Sequence, residues 1–148
     1  MGGRPTRSLA MSLSWKPEMA VGIRAIDLQH QELIEIINGL EATLKLGDDA
    51  LLEPLLQRLL SYVVFHFEVE ESMMRAKSAY AKHAELHIRE HSHFVNQLRS
   101  LHATDRAERR RGVEGMLDYL KYWVVNHIQK TDRDLATLLL AGDPARSH

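Results

Sequence analysis

Four segments of this chain carry apolar residues at the three-and-four spacing of an inward helix face, and histidines stand on those same stripes. The first runs through Ile26, Leu33, Ile34, Ile37, Leu40 and Leu44 and includes His30. The second runs through Leu59, Val63 and Met74 and includes His66 and Glu70. The third, through Tyr80, Ala84, Phe94, Leu98 and Leu101, holds His87 and His91, and the fourth, through Val113, Leu117, Leu120, Val124 and Leu135, holds His127. An ionised carboxylate or unpaired imidazole in a dry core costs several kcal/mol, comparable with the net stability of a small domain. These side chains therefore need a shared partner, and a metal is the obvious one.

The stripes predict helices over about 23–46, 51–77, 80–102 and 104–140, with no strand signal. Gly47-Asp48-Asp49 supplies a glycine stop and a cap for the next helix, Pro54 is tolerated near a first turn, and Thr104 and Asp105 can cap the last helix. Four rods, each about 35 Å long and joined by short connections, give an all-α fold: an up-down-up-down antiparallel four-helix bundle. Spacing supports this independently. His30 and His66 stand 36 residues apart, as do His91 and His127, so each hairpin returns its second histidine to the depth of its first.

Composition narrows the chemistry. The 148 residues, 45% hydrophobic with net charge -1, make one ordinary domain with room for a real core and no charge imbalance pointing to nucleic acid. The chain has no cysteine, so metal binding here uses nitrogen and oxygen donors and no disulfide staples the fold. No apolar run approaches the ~20 residues that span a bilayer, and Met1-Gly2-Gly3-Arg4-Pro5-Thr6-Arg7 lacks the apolar core of a signal peptide, so the expected location is cytoplasmic. Gly2 with Thr6 fits a loose myristoylation pattern that Pro5 spoils. Residues 1–14 read as a flexible extension, 15–141 as the bundle and 142–148 as a tail, and Met11 is a second plausible start.

At one level of such a core stand His30, His66, Glu70, His87, His91 and His127, with Asp132 close by. Pairs four apart share a helix face, so His66 with Glu70 and His87 with His91 reach one site. His127 and Asp132 are five apart, about 140° round an ideal helix. That spacing suits two ions straddled by the pair, with a π-bulge as one way to close the angle. Seven donors also exceed what one tetrahedral zinc uses. A two-metal site resolves both points, because a carboxylate can bridge two ions and leave one position free for a small ligand. The donors are compatible with non-haem iron and leave manganese or zinc open.

Trp15, then Val21-Gly22-Ile23 with Ile26-Asp27 and Gln29-His30, then His66-Phe67 with Glu70-Glu71 and Met74, then His87, His91 and Phe94, then Trp123 with His127-Ile128 and Thr131-Asp132 resemble the hemerythrins, above all the stand-alone bacteriohemerythrins. The resemblance spans about Trp15 to Leu140. It implies two non-haem iron ions per chain joined by an oxo or hydroxo bridge. One would be held by His87, His91 and His127 and the other by His30 and His66, with Glu70 and Asp132 bridging. It further implies that dioxygen binds reversibly at the two-histidine iron, where nitric oxide or other small anions can also bind. The family usually has Leu directly after the last-helix Trp; Val124 here leaves more room if it abuts the oxygen site.

The expected role is an oxygen carrier, store or local supplier, not an enzyme, acting as a monomer on a recipient that the sequence does not identify. The rival is a di-iron oxidase, peroxidase or nitric-oxide-handling enzyme on the same site; a structural or iron-storage bundle has less support. Carboxylate-rich di-iron oxidases use Glu-x-x-His on two helices, and the one copy here, Glu90 to His93, reads as lying off the ligand stripe. No fused signalling domain is evident, which argues against a sensor. His83 is left outside the ligand set. His93, His102 and His148 are expected in solvent, Glu71 on an exposed face with acceptance from a ligand imidazole as the alternative, and Trp123, Phe67, Phe94 and Met74 in packing that keeps the pocket dry. Arg106, Arg109, Arg110 and Arg111, beside Glu108 and Glu114, read as a solvated face.

Overall fold

The computed structural model describes residues 12–141. The second start at Met11, the myristoylation pattern, His148 and the 142–148 tail lie outside them. Among the described residues no strand occurs. Helix α1 is Arg24–Leu46, α2 is Leu52–Arg75, α3 is Ala81–His102, and the fourth rod comprises α4 (Arg106–Asn126), a π-helical turn (His127–Asp132) and α5 (Arg133–Ala141). Short 3-10 turns, Pro17–Met19, Asp49–Leu51 and Ser78–Tyr80, precede the first three rods. The rods pack up-down-up-down into the antiparallel four-helix bundle that the stripes predict.

Every predicted inward position is buried except Ala84, which is half-buried. The core runs from Leu33, Ile37 and Leu40 on α1 through Leu56, Leu59 and Val63 on α2 to Phe94 and Leu98 on α3 and Leu117 and Leu120 on α4. Each such aliphatic side chain contributes roughly 1.5–3 kcal/mol on leaving water. A small second cluster of Val21, Ile26 and Ala136 covers the opposite end of the stripe.

The helix ends set the depth at which the polar residues meet. Gly47, at φ 75°, closes α1 in the left-handed conformation that glycine adopts freely, and its N–H donates to Leu44 O while that of Asp48 donates to Thr43 O. The cap expected from Asp48 and Asp49 does not form: neither side chain caps α2, which opens instead through the Asp49–Leu51 turn. Asp105 does cap α4, accepting from Glu108 N at 2.9 Å, whereas Thr104 turns back to Leu101 O at 2.7 Å and closes α3. At the head of α1, Asp27 accepts the backbone N–H groups of Val21 and Gly22.

Two arginines of the cluster, Arg109 and Arg110, are less solvated than expected, whereas Arg111 is exposed. Arg110 donates to Asp49 Oδ1 and to Leu44 O, and Arg109 to Thr104 O, so both tie α4 to the neighbouring connections. No helix is long and apolar enough to cross a membrane among the described residues.

Candidate metal centre

His30 on α1, His66 and Glu70 on α2, His87 and His91 on α3, and His127 and Asp132 on the π-helical turn are brought to one level of the core, each at most 3% exposed. The π-helical turn explains how His127 and Asp132 converge. Its wider i to i+5 winding returns positions five apart to one face, and His127 Nε2 lies 3.1 Å from Asp132 Oδ1.

The two carboxylates divide the imidazoles into two sets. Glu70 turns Oε1 toward His91 Nε2 at 3.1 Å and His87 Nε2 at 3.4 Å, and Oε2 toward His66 Nε2 at 3.2 Å and His30 Nε2 at 3.6 Å. Asp132 turns Oδ1 toward His87 Nε2 at 3.0 Å and His127 Nε2, and Oδ2 toward His30 Nε2 at 2.8 Å. Two donor groups result, Glu70 with His87, His91, His127 and Asp132, and Glu70 with Asp132, His30 and His66, the donor atoms within each lying within 4.8 Å of one another.

These contacts are close without being hydrogen bonds. The Nε2 atoms of His30, His66 and His91 and all four carboxylate oxygens are buried with no hydrogen-bond partner. His127 Nε2 and His87 Nε2 also face each other at 3.2 Å, both beside Asp132 Oδ1. So many converging acceptors in a dry core fit divalent cations, with imidazole nitrogen and carboxylate oxygen suiting iron, manganese or zinc.

With protons as the only compensating charge, the cluster is strongly polarised. Burial pushes His30 down, but the carboxylates of Asp132 and Glu70 outweigh it and raise it to about 9. The same contest raises His127 to about 10, Asp132 leading Glu90 and Glu70. His87 is also raised, burial being overcome by Asp132 and Glu70, whereas burial wins at His91 and lowers it. Burial pushes both acids up, yet the surrounding imidazoles hold Glu70 and Asp132 well below the carboxylate range.

Outside the donors stand four partners of ring Nδ1 atoms. His91 Nδ1 lies 2.9 Å from Glu71 Oε2, so Glu71 is a half-buried partner of an imidazole and not an exposed-face acid. Glu90 lies beside the core rather than off it, its Oε1 2.9 Å from His127 Nδ1 and accepting from Thr131 Oγ1 at 2.8 Å. Gln29 Oε1 meets His66 Nδ1 at 2.6 Å, and His83 Nε2 meets His87 Nδ1 at 2.8 Å. These partners fix which ring nitrogen faces inward. His93 is exposed as expected, but His102 is half-buried and paired with Glu53 at 2.8 Å. Position i-1 or i+1 to a ligand was the available signal for Gln29, Glu71 and Glu90.

An aromatic wall closes the three-histidine side. Phe67 stacks on His91 with centroids 3.7 Å apart, and Trp123 stacks on both His127 at 4.3 Å and Phe94 at 4.0 Å.

The chain is similar to known proteins in both sequence and fold. The model of the hemerythrin HHE cation binding domain matches residues 21–139. A bacteriohemerythrin of Pseudomonas aeruginosa (strain LESB58) is 28% identical over 120 residues, 81% of this chain and 76% of that protein. One of Methylococcus capsulatus is 30% identical over 116 residues, 78% of this chain and 87% of that protein. The crystal structure of a leucine-to-phenylalanine mutant is similar with a TM-score of 0.74 and 27% identity, over 87% of this chain and 98% of that one.

Proposed function

Because the chain belongs to the hemerythrin HHE cation-binding family, we propose that it binds dioxygen reversibly at a pair of non-haem irons, as a cytoplasmic carrier, store or local supplier acting as a monomer, with 15–141 as the functional unit. The observation that carries the reading is the division of Glu70 and Asp132, each turning one oxygen to each histidine set.

In this reading His87, His91 and His127 would hold one iron and His30 and His66 the other, and Glu70 and Asp132, each turning an oxygen to both sets, would serve the two. Once bound, a ferrous pair would supply the electrons by which dioxygen is held. The protein's residues do the rest. Five neutral imidazoles against two carboxylates keep the site's negative charge low, which disfavours the high-valent iron that carboxylate-rich oxidase sites support. Phe67, Phe94 and Trp123 exclude water from the three-histidine side and hold the rings of His91 and His127 in place. Glu71, Glu90 and Gln29 accept from ring Nδ1–H groups, which keeps each Nε2 lone pair turned inward.

The test is spectroscopic. Iron-loaded protein is reduced anaerobically and given one equivalent of dioxygen. A visible band that forms and then disappears on removal of oxygen supports the reading. Rapid conversion to an oxidised form with peroxide release or substrate turnover favours the oxidase or peroxidase instead.

A further inference from the structure

The two histidine sets differ in what stands behind them. In the three-histidine set, two rings back onto carboxylates, His91 on Glu71 and His127 on Glu90, and the third, His87, backs onto His83. Thr131, itself part of the π-helical turn, donates to Glu90 and steadies it. In the two-histidine set, His66 backs onto the neutral amide of Gln29, and His30 Nδ1 is buried with no hydrogen-bond partner. A carboxylate that accepts the Nδ1–H makes the opposite nitrogen more basic and shares the positive charge of a bound cation, whereas an amide orients the ring without supplying charge.

We propose that Glu71 and Glu90 are positioning residues that make the three-histidine set the tighter half of the centre, so that the two metals load in order, that set first. This rests on the two-cation reading above. The donor count alone favours the same order, since this set has one more imidazole. What the carboxylates add is selective: neutralising them weakens one step and leaves the other.

The full-length protein, stripped of metal, is titrated anaerobically with cobalt(II), read by visible absorption and by competition with a chelator. His30→Ala marks the second step by removing it. Glu71→Gln keeps an oxygen facing His91 and loses only the charge; Glu90→Gln does the same at His127. Each is expected to weaken the first step by ~10-fold or more and to leave the second unchanged, in the range typical of an outer partner of a ligand imidazole. Glu71→Ala is expected to match Glu71→Gln, because charge and not shape is at issue, and Gln29→Ala to weaken only the second step. Unaltered first-step binding in both glutamine variants, an equal fall in both steps, or a single unresolved step in the wild type overturns the proposal while leaving a two-metal centre intact. Uptake of fewer than two cobalt ions by the wild type overturns the two-cation reading with it.

Discussion

Among the described residues two places bury charge, and they are built differently. On one flank of the core Glu41 and Lys121, from α1 and α4, meet at 2.7 Å with side chains 2% and 9% exposed. A cation of the protein's own faces the acid there. At the other level Glu70 and Asp132 face only imidazoles, and seven buried nitrogen and oxygen atoms converge with no hydrogen-bond partner. A buried pair that supplies its own counter-charge is an element of the fold; a buried set that lacks one is a receptor for cations.

That contrast breaks most visibly at Glu70. Glu70→Ala takes an oxygen from each histidine set, and metal affinity should fall by more than the ~100-fold typical of outer partners, leaving fewer than two ions per chain by elemental analysis. Lys121→Met should do the reverse: two ions retained, but a loss approaching ~3–5 kcal/mol in urea unfolding, because Glu41 is left buried with only the more distant Lys45, 3.9 Å away, as a partner. The double variant Glu41→Leu with Lys121→Met should recover most of that loss. If Lys121→Met sheds metal while Glu70→Ala keeps it, the two regions have been assigned the wrong way round.

A smaller effect is expected from pH. In the metal-free protein, His30 and His127, raised from 6.5 to about 9 and about 10, contribute stability that is complete below pH 6.5 and is lost as pH rises through those folded values. Glu70 and Asp132, held below their ordinary values of 4.5 and 3.8, contribute above that range and lose it on acidification. His91, pushed down, works weakly against the first pair below pH 6.5. Thermal melts of the metal-free chain should therefore peak in mildly acidic solution and decline toward pH 10. Metal binding displaces the protons, so the loaded protein should lack the alkaline decline and lose metal as pH falls. A metal-free protein most stable at pH 10 contradicts the charge assignment.

The smallest expected change concerns Val124, buried beside Trp123 on the fourth rod. If its smaller side chain leaves room near the oxygen site, Val124→Leu should slow autoxidation of the oxygenated protein a few-fold. Equal or faster oxidation of the variant removes that idea.

The stripes and the depth of the histidines were legible because helix period and chain length are properties of one strand of sequence. The five-residue step from His127 to Asp132 was legible too, as an irregularity that one turn of wider winding absorbs. Glu41 and Lys121 were not, since nothing in the α1 or α4 pattern tells which charged side chain will find its opposite across the bundle. Glu90 and Gln29 are not legible as partners for the same reason, and Glu71 is legible only as the lesser of two readings. Each lies on the flank of its helix, and only the packing of the helix beside it turns that flank toward an imidazole. His102 reads as a surface residue until α2 brings Glu53 against it.

The central claim is that the Glu70–Asp132 level is a receptor for two cations, and metal analysis of the purified protein tests it most directly. Two irons per chain, lost together with the visible spectrum on chelation and restored on adding ferrous ion, are the result expected. One zinc per chain, or a protein that takes up no second ion, contradicts it.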